Sequence, residues 1–414
     1  MTAMALGRAC TRFFQLSCFA LTLSTCQSIL AYANFSSVPC PTIFIYENFP
    51  TLSDGIQPQL ISTERAFGAR LPTQGIFATE AFSFGEIIFN RLYRSTNCKI
   101  TRDPEEADLF LVPTLLSFTR IGHFTRACTS AILAEKKIRE VLMHLNPATE
   151  KKHVIFIVKG KAAVRLGASC NWMRGETLKR MQRYALSHSY VGSPWTKWKE
   201  KSTPVLDGKI VSVPYSSSFH WTSEVGDNPP WTRFENRSTL IHYIGKPHGL
   251  QAKLRAKLYD DCLRIGMPTC QAETEFDHEK SLLQKQHAVF CLEPEGDSPY
   301  RKSLYDSIVS GCIPVLFSKD TDLSSPFHWG SFHHEMRVLV SERSYLSGEI
   351  TLGALSDMPQ EEIRAMQAII AKNAQRLQYS LDDMPGGDDA VEVLLKKAAL
   401  RAQGVSFDTL SKTL

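Results

Sequence analysis

Between His287 and Ser318 the chain reads HAVFCLEPEGDSPYRKSLYDSIVSGCIPVLFS, and the residues able to do chemistry are concentrated in its middle. Arg301 and Lys302 put two cations where a helix is expected to begin, with Ser298 placed to cap it, Pro299 suited to its first position and Gly311 to its left-handed stop. A helix start offers unpaired backbone N–H groups and the positive end of its dipole. Cations added there make an anion site of the kind that holds a diphosphate. Glu293, Glu295 and Asp297 crowd the same loop and would repel phosphate unless they turn to sugar hydroxyls or cap the helix. The rival reading is an ordinary capped helix with a solvated basic first turn. Asp306, about one turn on, either accepts from a ribose or pairs with Lys302.

These groups need elements to hold them. Val289 to Leu292 and Ile313 to Phe317 are short apolar runs that read as buried parallel strands, and Leu304, Tyr305, Ile308 and Val309 give the helix between them an apolar stripe. The unit is therefore βαβ, with its ligand beyond the carboxyl ends of the strands. Thr239 to Gly245 (TLIHYIG) reads as an earlier strand of the same sheet, ending in Gly245 and Lys246 where a loop should face the ligand. Leu250 to Cys262 follows as a helix with Lys253, Arg255 and Lys257 outside.

The run FCLEPEGDSPYRKSLYDSIVSGCIPVLF resembles the signature of the exostosin-type glycosyltransferases, and its RKS, ending in Ser303, is closest to their plant xyloglucan galactosyltransferase branch. A second block, TRDPEEADLFLVP from Thr101 to Pro113, is similar to another family segment. From its residues it reads as scaffold, with Asp103 capping a turn begun by Pro104 ahead of a buried strand. A third, PYSSSFH from Pro214 to His220, resembles a motif of the plant branch, with Ser216 in place of its proline. The resemblance implies an α/β chain of the GT-B class, two Rossmann-like domains facing a cleft, with a UDP-sugar held by the second. Gly245, Lys246, Glu295, Gly296, Asp297, Ser298, Arg301, Lys302, Ser303 and Asp306 are then the donor-site candidates. It also implies that cations rather than a metal serve the leaving group. The competing metal site is Asp320-Thr321-Asp322, whose oxygens suit Mg²⁺ or Mn²⁺.

The 414 residues suffice for two domains of ordinary size, and a net charge of +5 calls for neither nucleic acid nor an acidic membrane; a small anionic ligand fits better. Residues 1–33 form a leader in which Arg8 and Arg12 precede an apolar-leaning stretch ending Ala31-Tyr32-Ala33, either a cleaved signal or a signal-anchor. Membrane contact is expected only there. Either form directs the chain to the secretory lumen, and the family's members are mostly Golgi signal-anchored. Asn34-Phe35-Ser36 and Asn236-Arg237-Ser238 are glycosylation sequons. Three of the 11 cysteines lie in the leader, leaving an even eight for an oxidising lumen, with Cys262 and Cys270 the candidate pair. Cys291 and Cys312 read as small apolar residues.

The first domain is expected over residues 38–226, a linker at 227–236 marked by Asp227-Asn228-Pro229-Pro230, and the nucleotide-sugar domain over 237–350. Residues 351–380 should carry a helix packing back across the seam, and 381–414 an exposed tail with a short helix. Helical spacing is read from Gly75 to Leu92 and from Ala131 to Leu145. Trp172, Trp195 and Trp198 either stack on acceptor sugars or cover a domain edge. The activity implied is inverting transfer from a UDP-sugar to a glycan hydroxyl, with Glu80, His153 and His220 as candidate bases from the first domain. The family commonly has Gly-Arg-Asp-His where this chain has Lys151-Lys152-His153. That departure supports the alternative, a non-catalytic relative that binds glycan or nucleotide-sugar.

Overall fold

The structure is a computed structural model. It describes residues 38–47, 57–113, 139–157, 180–185, 210–222, 228–296 and 301–412, apart from short gaps, together with Phe35, Val225 and Pro299. The leader, Asn34, Trp172, Trp195, Trp198, Asp297, Ser298 and most of the helix expected at 131–145 lie outside these residues.

Two parallel sheets organise the chain. The first contains β1 (Ile43–Ile45), β2 (Ile100–Thr101), β3 (Leu109–Val112), β4 (His153–Ile157), β5 (Gln182–Ala185) and β6 (Ile210–Ser212), in the order β2-β1-β3-β4-β5-β6. The second contains β7 (Thr239–Ile244), β8 (Cys270–Glu273), β9 (Ala288–Glu293), β10 (Ile313–Leu316) and β11 (Val338–Leu339), in the order β11-β10-β9-β7-β8. All pairings within both sheets are parallel. Read from its own first strand, each sheet reverses direction between its first and third strands, the doubly wound order of Rossmann-like folds. This is the two-sheet α/β architecture expected of a GT-B chain. β3 and β10 are buried at every position, as strands covered on both faces must be.

Helices α1 (Thr63–Phe67), α2 (Phe84–Leu92), α3 (Ala252–Ile265), α4 (His278–Gln286) and α5 (Lys302–Val309) flank the sheets, and α6 (Gln360–Asn373) and α7 (Ala390–Ala402) follow the second sheet, ahead of a short helix at Phe407–Lys412. The helix expected from Gly75 to Leu92 forms only from Phe84. Gly75 has φ of +80°, and Ile76 and Phe77 bridge to Phe219 and Arg70 instead, so tertiary pairing overrides the helical spacing. Asp103 does cap its turn, accepting from Glu105 N–H at 2.9 Å.

The exposed tail expected after residue 380 is corrected by the structure. From Ala390 to Arg401 α7 is buried along its whole length. Its apolar residues Val393, Leu394 and Leu395 each contribute about 1.5–3 kcal/mol by leaving water. Its lysines are absorbed locally, Lys396 by Asp388 at 2.5 Å and Lys397 by the carbonyls of Phe327 and Leu410 at 2.6 and 2.7 Å. Residues 378–383 run back to the first half of the chain. Gln378 Oε1 accepts from Trp221 N–H at 2.9 Å, Tyr379 O–H donates to Pro214 O at 2.8 Å, and Asp383 accepts from the backbone of Thr96 and Asn97.

Three disulfides join described residues. Cys262–Cys270 ties α3 to β8, as expected, and Cys40–Cys98 staples the first sheet. Cys291–Cys312 corrects the reading of those two as lone small residues. Strand pairing sets Pro314 opposite Cys291, which brings Cys312 within bonding reach.

Asp389 is the N-cap of α7, accepting from Val391 and Glu392 N–H at 3.0 Å each and from Ser380 N–H and O–H at 2.9 and 2.6 Å, with Arg91 3.6 Å away. Asp389→Ala should cost about 2–4 kcal/mol in urea denaturation. Asp389→Asn should recover only the capping part of the loss, because its amide oxygen still accepts from Val391 and Glu392 N–H while its NH2 cannot accept from Ser380.

Candidate functional site

The reversal of strand order in the second sheet falls between β7 and β9, and there the chain leaves in opposite directions, through α3 to β8 and through α5 to β10. The loops after β7 and β9 flank this switch point, the crevice at which open α/β sheets bind their ligands. Gly245 and Lys246 follow β7; Glu295 and Gly296 follow β9. Gly245 N–H donates to Glu273 O at 2.9 Å and Leu250 N–H to Gly296 O at 2.7 Å, which fixes both rims.

Two guanidiniums converge on this crevice. Arg255 reaches it from α3, donating through Nε to Lys246 O at 2.7 Å and through Nη1 to Glu295 O at 3.2 Å. Arg301 donates through Nη1 to Pro294 O at 3.0 Å. A Cβ on Gly296 would lie 3.2 Å from both Arg255 Nη1 and Arg301 Nε, and one on Gly245 would lie 2.7 Å from Arg255 Nη2. Glycine at both positions is what admits the cations. Arg255 is 2% exposed, and burial, then the neighbouring Arg301, pull its pKa below the ordinary arginine value. Among the described residues neither arginine forms an ion pair with a carboxylate.

The three acids that should repel an anion here are largely accounted for. Glu293 accepts from Lys285 Nζ at 2.8 Å, Ser303 Oγ at 2.9 Å and Ser307 Oγ at 2.6 Å, so its charge is matched inside the protein. Burial pushes its carboxyl up, but Lys285 and Arg301 outweigh that and hold it below the usual range. Glu295 turns to Ser318, and burial, with Asp320 and Glu342 nearby, raises its pKa. Asp297 lies outside the described residues.

The expected helix start is corrected. α5 begins at Lys302, with Arg301 as an extended N-cap residue (φ −139°, ψ 143°) that makes no side-chain cap; the chain stays extended so that Arg301 can reach back to Pro294. Lys302 is committed elsewhere as well. Its Nζ lies 2.9 and 3.0 Å from the Asp306 oxygens and 2.5 Å from Ser218 Oγ. Of the two roles open to Asp306, the structure shows the pairing with Lys302. Asp306 also accepts from Ser217 Oγ and Ser218 N–H at 2.9 Å each, which joins α5 to the segment after β6. Ser303 serves Glu293 and Lys285.

Arg255 is the residue that the sequence reading placed wrongly, on the wet face. Its signal was the spacing: Leu258 lies three residues on, on the buried side of α3, beside Leu254. Asp322 is held by Arg337 through two bonds of 2.8 and 2.7 Å. Its ligand atoms and those of His333 and His334 lie within 4.8 Å of one another, yet the guanidinium already occupies that carboxylate.

The three candidate bases separate clearly. His153 is fully buried; its Nδ1 meets Thr149 O at 2.9 Å, its Nε2 meets Tyr46 O–H at 2.8 Å, and its ring stacks on Phe110. His220 is equally buried, with Nδ1 at Tyr379 O, 2.5 Å, and Nε2 at Thr79 Oγ1, 2.8 Å. Both rings have both nitrogens engaged inside the fold, so neither offers one to a substrate. Glu80 is exposed. It follows the segment in which Phe77 N–H donates to Ser218 O at 2.9 Å, the same serine that Lys302 touches through its hydroxyl.

A family model, the Exostosin GT47 domain, matches residues 38–347. The chain belongs to that family. Its relatives include three proteins of Arabidopsis thaliana. The "Probable xyloglucan galactosyltransferase GT15" is 26% identical over 80% of this chain and 71% of the relative. The "Probable xyloglucan galactosyltransferase GT13" is 27% identical over 46% and 44%. The "Xyloglucan-specific galacturonosyltransferase 1" is 30% identical over 61% and 38%. The chain spans less than half the length of several relatives that it matches, 44%, 35% and 23% for three of them. A solved "alpha-glucosyltransferase (AGT) in complex with UDP" superposes on 68% of this chain and 83% of its own at 9% identity, with a TM-score of 0.33, a likeness too loose to build on.

Burial holds His153 and His242 neutral, with pKa values lowered to about 4, and His220 and His328 to about 3. Because each folded-state pKa lies below the unfolded value of about 6.5, the unfolded chain protonates first. Their contribution to stability is complete above pH about 6.5 and is lost as pH falls towards 4. The melting temperature should drop over that window, and less steeply in His153→Gln.

Proposed function

We propose that the chain is an inverting glycosyltransferase that moves a sugar from a UDP-sugar to a hydroxyl of a glycan in the Golgi lumen. The observation that carries this reading is the convergence of Arg255 and Arg301 between Gly245 and Gly296, with no carboxylate paired to either among the described residues. Two guanidiniums side by side, that of Arg255 buried and that of Arg301 half-buried, repel each other, and an anion between them removes that cost. A diphosphate at the carboxyl ends of β7 and β9 supplies it, and the family supplies the chemistry that such a group serves. The three disulfides support an oxidising lumen. Among the described residues no helix is long and apolar enough to cross a membrane.

In the transfer, the acceptor oxygen attacks C1 in line as the diphosphate departs. The site must take up a proton on one side and steady negative charge on the other. Arg255 and Arg301 steady the leaving group by electrostatic stabilisation that is already in place before the reaction. Lys302, expected as the second cation, instead holds α5 to the first half of the chain through Asp306 and Ser218. Glu80, exposed where the two engaged histidines are not, takes the acceptor proton. No metal is assigned to the leaving group.

Arg255→Gln and Arg301→Gln should each weaken UDP binding by about 10- to 100-fold, read as loss of UDP-induced thermal stabilisation that EDTA leaves unchanged in the parent. Unaltered affinity in both variants would remove the diphosphate site, and a shift abolished by EDTA would put a metal in it. Glu80→Gln should lower kcat by about 10²- to 10⁴-fold at unchanged UDP affinity, assayed as UDP release across UDP-galactose, UDP-xylose, UDP-glucuronate and UDP-arabinose. Normal turnover in that variant would place the base elsewhere. UDP binding without transfer from any donor would favour the non-catalytic alternative.

A further inference from the structure

We propose that Asn236 carries an N-linked glycan, a modification that rests on the luminal reading above but not on the transferase activity. The sequence offers Asn236-Arg237-Ser238, and the fold presents it in an exposed turn just before β7. Asn236 has φ of +65°, in the left-handed region that asparagine tolerates better than other side chains, and both Asn236 and Ser238 are exposed. Among the described residues no hydrogen bond engages the Asn236 carboxamide or the Ser238 hydroxyl. Ser238 itself borders an open groove bounded by Met267, Lys280, Leu283 and His287.

The residue between them explains why the turn is held in this form. Arg237 points inward, donating through Nη1 to the carbonyls of Lys285 and Ala288 and through Nη2 to those of Arg233 and Ser310. Burial lowers its pKa to about 10, still protonated at neutral pH. With its middle residue anchored to four carbonyls, the sequon turns its outer two side chains to solvent. A Cβ on Gly311 would lie 2.4 Å from Arg237 Nη2, so the same glycine that ends α5 keeps this anchor in place.

In the transfer the Asn236 Nδ2 bonds to the anomeric carbon of an oligosaccharide carried on a lipid diphosphate. The bond from that carbon to the diphosphate oxygen breaks, the lipid diphosphate leaves with the electron pair, and the amide proton passes to the base of the oligosaccharide transferase. Attachment precedes folding, so what the finished fold must supply is tolerance, and an exposed turn supplies it. β7 separates Asn236 from the crevice by about 17 Å, at roughly 3.3 Å per residue, so the glycan stands at the opposite end of the sheet from the donor site.

The full chain made through a eukaryotic secretory pathway should lose the mass of a glycan at Asn236 on PNGase F treatment, with Asn236 converted to aspartate in the peptide map. Asn236→Gln and Ser238→Ala should each abolish that loss, Asn34→Gln should not, and UDP-induced stabilisation should survive in all three. An unmodified Asn236 in a chain whose Cys40–Cys98 bond has formed overturns the glycan alone. An unmodified Asn236 in a fully reduced chain overturns both the glycan and the luminal reading beneath it.

Discussion

One buried carboxylate ties the two sheets' halves together. Asp306 on α5 is 2% exposed and accepts from Ser217 and Ser218 in the segment after β6 and from Lys302 on its own helix. Burial alone would raise its pKa, but Lys302, Lys285 and the Ser218 N–H hold it below the usual carboxylate range. A charge this dry is stable only while every partner is present, because removing one leaves an uncompensated ion in a low-dielectric site. The position of α5 relative to the first half of the chain is therefore set sharply, and so is the point from which Arg301 reaches into the crevice.

The rest of the charge arrangement follows from which cations are already matched. Lys302 is matched by Asp306 and Lys285 by Glu293, and on the seam side α4 adds His278, whose Nδ1 lies 2.6 Å from Ser218 Oγ. What these pairs leave over at the crevice is Arg255 and Arg301, each bonded to backbone carbonyls that fix direction without cancelling charge. Positive charge fixed in direction but not neutralised is a preorganised anion site. The Cys291–Cys312 bond ties β9 to the start of β10, the two strands that α5 connects.

The chain's end is part of the same framework. Segment 378–383 binds the backbone of Thr96, Asn97, Pro214 and Trp221, and α7 packs against the first sheet's side of the molecule, with Asp389 joining its start to Arg91. The first half of the structure is thus completed by the last residues of the chain. That return contact also engages His220, through Tyr379 O, which is why a histidine in a family-like motif is structural here.

The sequence by itself determined the family, the two parallel sheets and the crevice, because motif spacing and short apolar runs are local properties that survive without knowledge of partners. It also determined the Asp103 cap and the Cys262–Cys270 pair, where the interacting residues are close along the chain. Only the tertiary structure decided which basic residues keep their charge available. Lys302 and Arg255 exchanged roles because a carboxylate one turn away met two serines some 90 positions earlier in the chain, while an arginine read as solvated turned inward between two glycines. Likewise only packing decided that His153 and His220 were engaged and that α7 was buried. Burial and pairing depend on contacts between distant segments, and those contacts leave no periodic mark in the sequence.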